Sequence, residues 1–163
     1  MAKKIPNRTL LINLFKYLNV NVDELKILDN RDNRIVIQKV VYFAKKLDLG
    51  FTYEYNVFLH GPYSTELGRD YYSLTNEEVN YTDKMVLEPY KIKKLLWLKN
   101  QEPFFLEIAS TLDFIIEYNS RISIEKAINH VFSMKEEVLK EHDKNIEYIK
   151  LVHNEIVANI TGE

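Results

Sequence analysis

Residues 51–65 read Phe-Thr-Tyr-Glu-Tyr-Asn-Val-Phe-Leu-His-Gly-Pro-Tyr-Ser-Thr. Phe51, Tyr53, Tyr55 and Val57 alternate with Thr52, Glu54 and Asn56, the period-2 pattern of a half-buried strand, so a strand is predicted over 51–59. At its end Gly61 supplies backbone freedom, while Pro62 fixes its own φ and biases Gly61 toward extended geometry. Ser64 is a good N-cap for a helix over 65–74, whose apolar stripe starts with Leu67 and Tyr71. His60 and Tyr63 are therefore expected at a rigid corner.

Upstream, a helix is predicted over 34–47, with Asn33 or Asp32 placed to cap it. Val36, Val40, Phe43 and Leu47 form one apolar stripe and Ile37, Val41 and Ala44 another, so more than one face is apolar and the helix should be central. Gln38, Tyr42 and Lys45 form its polar row, with Gln38 and Tyr42 side by side.

Further helices are predicted over 8–18, 22–28, 90–99 and 104–118, the last two opened by Pro89 and Pro103. Ser123 is placed to cap a short helix through Val131, and a long final helix is predicted over 135–159. A second strand around 79–87 would pair antiparallel with 51–59 across the intervening helix. No repeat or linker divides the chain, which reads as one domain over 1–163: an α+β fold, mainly α, with a small antiparallel sheet lying on the helices.

Composition sets outer limits. With 163 residues, 46% hydrophobic and 28% charged, the chain can build one ordinary core. Its 22 basic and 24 acidic side chains give a net charge of −2, without the basic excess of a dedicated nucleic-acid binder. Nucleic acid is thus not the favoured partner, although a local basic stripe can act within a neutral domain. The absence of cysteine removes disulfides, zinc–cysteine sites and thiol nucleophiles. No apolar run approaches the roughly 20 residues that span a bilayer, and the N-terminal segment reads as an amphipathic helix, so a cytoplasmic protein with no membrane partner is expected.

The helix 34–47 and the corner together resemble the YwgA-like family and its relatives, the SocA-like or Panacea domains. Those proteins carry a Gln-Lys-x-x-Tyr helix leading to a Tyr-Gly-Pro or His-Gly-Pro turn and a short helix. Gln38, Lys39, Tyr42, His60, Gly61, Pro62, Tyr63, Ser64 and Leu67 match that pattern here. The Tyr-Ser after Gly-Pro is closer to the YwgA-like branch, and the firm part of the resemblance runs from Arg34 to Leu74. The resemblance implies a protein that works by gripping another protein, as SocA-like antitoxins and proteolysis adaptors do, and candidate contact residues at these nine positions.

Little points to catalysis. The four glycines form no phosphate-cradling loop, and Ser64 lacks the glycine-flanked elbow of a hydrolase. His60 could serve as a base, yet its sequence neighbours supply no second member of a catalytic set, and a ring bonded to a backbone carbonyl or stacked under Tyr63 is the favoured reading. Gln38 and Tyr42 either brace the corner from beneath or line a recognition groove, with bracing favoured. No catalytic residue, metal or cofactor is expected.

Leu139, His142, Ile146, Ile149, His153, Ile156 and Ile160 alternate by three and four residues, a heptad seam. Such a seam either covers its own domain, the favoured reading, or binds a partner or a second copy, so a homodimer through 139–160 is one candidate assembly. His142 and His153 lie roughly 16 Å apart along a helix axis and cannot share one metal. The favoured function is a non-enzymatic interaction or regulatory module. The alternative is a winged-helix-like DNA-binding regulator, with Lys91, Lys93, Lys94 and Lys99 on helix 90–99 as its basic face.

Overall fold

Apolar side chains recur at helical spacing along most of the chain, and the computed structural model, which describes residues 4–162, shows how they meet. Its helices are α1 (Asn7–Leu18), α2 (Val22–Leu25), α3 (Arg31–Ala44), α4 (Thr65–Ser73), α5 (Asn76–Tyr81), α6 (Pro89–Lys99), α7 (Pro103–Tyr118), α8 (Ile124–Glu141) and α9 (Ile146–Ile156). A two-stranded antiparallel sheet, β1 (Asn56–Phe58) and β2 (Gly61–Tyr63), stands between α3 and α4. This is a mainly helical α+β fold.

The core is continuous. Leu11 and Phe15 of α1, Val40 and Phe43 of α3, Leu95 and Leu98 of α6, Leu106 and Ile108 of α7, Val131 of α8 and Val152 of α9 are all sealed from solvent. As its two stripes require, α3 is central and packs on α7, α6, α2 and β2. It starts three residues earlier than predicted, with Asn30 at the N-cap position, and its last turn tightens to a 3-10 helix over Lys45–Leu47. Pro89 and Pro103 open α6 and α7, where a missing N–H costs nothing. Among the described residues no helix is long and apolar enough to cross a membrane.

Several predicted elements are corrected. The second helix stops at Leu25 rather than residue 28. Phe51, Tyr53 and Tyr55 are buried in alternation as expected, but Val57, the fourth member of that row, is exposed, and only Asn56–Phe58 of the predicted strand pairs with a neighbour. Alternation reports one buried face, not a ladder partner. No strand forms at 79–87; Thr75 caps α5 there instead, its side chain accepting from Glu78 N at 3.0 Å. The partner of β1 is β2, in the register Asn56 with Tyr63, Val57 with Pro62 and Phe58 with Gly61, so the sheet is a local hairpin.

The predicted final helix is in fact two. Ser123 does cap its helix, but α8 continues to Glu141 before Asp143 turns left-handed at φ 55° and Lys144 N donates back to Leu139 O at 2.8 Å, a glycine-type helix stop made by an aspartate. Asn145 then caps α9 by accepting from Glu147 N at 3.0 Å. The seam is therefore not one continuous heptad. Leu139, Ile149, Ile156 and Ile160 all point into the domain, while His142 lies outside and stacks on Phe104.

Candidate functional site

The corner forms as its residues suggest. Ser64 occupies the N-cap of α4, its hydroxyl accepting from Leu67 N at 3.2 Å, and Leu67 is buried beneath it. Gly61 has φ 88°, a backbone that L side chains rarely adopt, and a Cβ there would lie 2.6 Å from Thr111 Oγ1. The hairpin thus presses directly on α7.

Buried polar side chains hold its backbone. Gln38 Nε2 donates to Ser64 O at 3.0 Å, and Ser64 N donates to Gln38 Oε1 at 2.9 Å. Lys39 Nζ donates to Pro62 O at 2.5 Å, and Lys135 Nζ, from α8, donates to Leu59 O at 2.9 Å. Three carbonyls, of residues 59, 62 and 64, are gripped from below.

One carboxylate organises the charges. Glu107, buried on α7, takes Lys135 Nζ on Oε2 at 3.1 Å and His60 Nδ1 on Oε1 at 2.8 Å. A carboxylate only accepts, so Nδ1 is the donor. Contrary to the expectation from sequence, His60 bonds neither a backbone carbonyl nor the underside of Tyr63; its partner lies 47 residues away. Its Nε2 is buried without a partner among the described residues. Lys39 is buried nearby, and desolvation drives it from its ordinary 10.5 down to about 7, against the pull of Glu107.

Gln38 and Tyr42 do not work together. Gln38 braces the corner, whereas Tyr42 turns to α7, where its hydroxyl donates to Asp113 Oδ2 at 2.7 Å and its ring meets Tyr55 edge-on. Burial and Asp113 raise the Tyr42 pKa, and burial raises that of Asp113. Beside them opens a polar cleft of about 740 Å³ lined by Lys45 and Lys46, of which Lys46 is already paired with Asp113 and Glu117.

The outer face of the hairpin is apolar and open. Val57, Phe58 and Leu59 are 42%, 51% and 77% exposed, and Phe58 meets the half-buried Tyr63 ring edge-on. Between this hairpin and α3 lies a cavity of about 280 Å³, with Ile35, Phe58, Leu59 and Tyr63 as its apolar wall and Arg31 and Arg34 also lining it. The corner residues His60, Gly61, Gln38 and Lys39 reach the same cavity.

Glu107, Lys135, Arg31, Phe58 and Leu59 were not singled out from sequence. A signal existed for two of them. Lys135 continues the buried stripe Ile128, Val131, Leu139, and Glu107 interrupts the apolar run of α7, and a charge inside an apolar stripe implies a buried partner. Compared with protein-family models, with curated proteins and with solved structures, the chain matches none of them.

Proposed function

We propose that this protein is a non-enzymatic interaction module that grips another protein through the hairpin corner, the work implied by its resemblance to the YwgA-like and SocA-like proteins. The observation that carries this reading is the exposed run Val57, Phe58, Leu59 on a hairpin whose backbone is locked by Gln38, Lys39 and Lys135. A contact surface fixed in advance loses little conformational freedom on binding, which favours affinity. Contiguous apolar side chains on a rigid turn are suited to be anchors.

The chemistry of the buried cluster supports binding over catalysis. A general base needs a free nitrogen facing substrate, and His60 Nε2 is sealed from solvent. The hydroxyls beside the pair, on Ser110 and Thr111, donate to Glu107 O within their own helix. A regulator using α6 is disfavoured because Lys94 donates to Ile160 O at 2.8 Å, Lys99 to Leu18 O at 2.6 Å, and Lys91 pairs with Glu88 at 3.3 Å. A homodimer through 139–160 is disfavoured because the seam covers the domain.

The test is cross-linking and affinity capture from native cells with the wild type, Phe58→Asp/Leu59→Asp and Leu151→Asp. A partner retained by wild type and Leu151→Asp but lost from the hairpin variant, at unchanged melting temperature, is expected. Equal capture by all three would refute the reading.

A further inference from the structure

The cavity beside the hairpin has a definite chemistry. At about 280 Å³ it falls at the low edge of the roughly 300–1,000 Å³ typical of small-molecule pockets, so it has room for one or two side chains. Among the described residues that line it, Arg31 and Arg34 are cationic, Lys39 is pushed by burial down to about 7, and none is acidic. The guanidinium of Arg34 is held by carbonyls, donating to Leu25 O at 3.3 Å, Ile27 O at 2.5 Å and Leu28 O at 3.0 Å. Among the described residues neither Arg31 nor Arg34 meets a carboxylate within ion-pair distance, although Asp29 and Asp32 are neighbours in the chain.

One further charge tilts the cavity the same way, while in the buried cluster behind it the carboxylate of Glu107 is already paired with Lys135. The amino end of α3 lies at Arg31 with no side chain from Asn30 capping it, so the positive end of a fourteen-residue helix adds to the field, offset in part by Asp32 in its first turn. An apolar wall with a positive rim that pairs with no carboxylate among the described residues calls for an apolar group next to a negative one.

We infer that the cavity takes an extended segment of a partner protein in which an apolar side chain packs against Ile35, Phe58 and Tyr63 while a carboxylate one or two residues away meets Arg31 and its neighbour Arg34. This rests on the reading of the corner as a protein-contact surface and specifies its partner. Arg31 is the discriminating residue, because it is exposed and carries no internal hydrogen bond among the described residues. Its charge is therefore free to choose the ligand without holding the fold.

The test is selection of random ten-residue peptides displayed on phage against the full chain, with Phe58→Asp and Arg31→Glu selected in parallel. Peptides enriched on wild type should pair an apolar residue with Asp or Glu. Made synthetically and followed by fluorescence anisotropy, such a peptide should bind Arg31→Glu at least about tenfold more weakly, and exchanging its acid for Lys should restore binding to that variant. Enriched peptides that depend on Phe58 but lack an acid, or ignore Arg31→Glu, would overturn this inference and leave the contact surface standing. Recovery of no Phe58-dependent peptide would overturn both. Melting curves of Arg31→Glu and Phe58→Asp matching wild type establish that the variants are folded.

Discussion

Gln38 and Ser64, 26 residues apart, exchange two hydrogen bonds of 3.0 and 2.9 Å, so that a side-chain amide on α3 pairs with a backbone as a neighbouring strand would. Both residues are buried, which keeps the pairing out of contact with bulk solvent. At neutral pH a primary amide offers a donor and an acceptor side by side in that space, which an ionised carboxylate does not.

Gln38→Met should therefore orphan Ser64 N–H, while Ser64 C=O keeps the bond it accepts from Gly68 N at 3.1 Å. At roughly 1–3 kcal/mol for a buried unpaired group, the expected loss is about 1–3 kcal/mol in denaturant unfolding. Gln38→Glu should be similarly harmful at neutral pH and recover as pH falls, because the protonated acid again has a donor beside an acceptor. A Gln38→Glu variant whose deficit does not shrink in acid would show that the pairing does not hold the corner.

Glu107→Ala should be more damaging. It leaves Lys135 and Lys39 buried without a counter-charge and removes the acceptor of His60, so a loss of about 3–5 kcal/mol is expected. Adding Lys135→Met should recover part of it, since the double variant no longer buries that unpaired ammonium. A double variant no more stable than Glu107→Ala would argue against the shared pairing.

The depressed Lys39 sets a pH dependence of definite sign. Between about 7, where it titrates when folded, and its ordinary 10.5, the unfolded chain binds more protons than the folded one. Stability from this group therefore rises with pH across that window and is lowest below it. Wild type should gain on Lys39→Met between pH 7 and 9.5 in parallel denaturation curves, because the difference cancels the other titrating groups. A constant gap would place the Lys39 ammonium in a less buried setting.

For the carboxyl-terminal helices, Ile149 at 0%, Ile156 at 6% and Ile160 at 2% exposure make one continuous inner face. Both Ile149→Asp and Ile156→Asp bury a charge and should unfold the monomer, whereas Leu151→Asp on the outer face should melt like wild type. Thermal melting with sedimentation decides it: a folded Ile156→Asp monomer would mean that the end of the helix is not docked.

Much of the fold was readable where the cause is local. Ser64 and Ser123 cap their helices, Pro89 and Pro103 open theirs, and the double stripe of α3 places it at the centre, because each signal acts within about one helical turn. The misreadings share one source. The 51–59 alternation was real, yet whether an extended chain gains a ladder depends on what lies beside it. The spacing from Leu139 to Ile160 was real too, but a left-handed Asp143 splits it into two helices that share an inner face. The corner residues were legible as a motif, but their chemistry was not.

By itself, then, the sequence determined the course of α1, α4, α6 and α7, the residues that start α4, α6, α7 and α8, and the two apolar stripes of α3, because side-chain period, proline geometry and capping operate between residues a few positions apart. Tertiary structure alone decided that His60 meets Glu107 across 47 residues, that Lys135 reaches Leu59 across 76, and that Gln38 and Tyr42, one turn apart on α3, serve different neighbours. Burial is the reason. A charge or amide withdrawn from water must take whatever partner the packing brings to it, and that choice leaves no period in the chain.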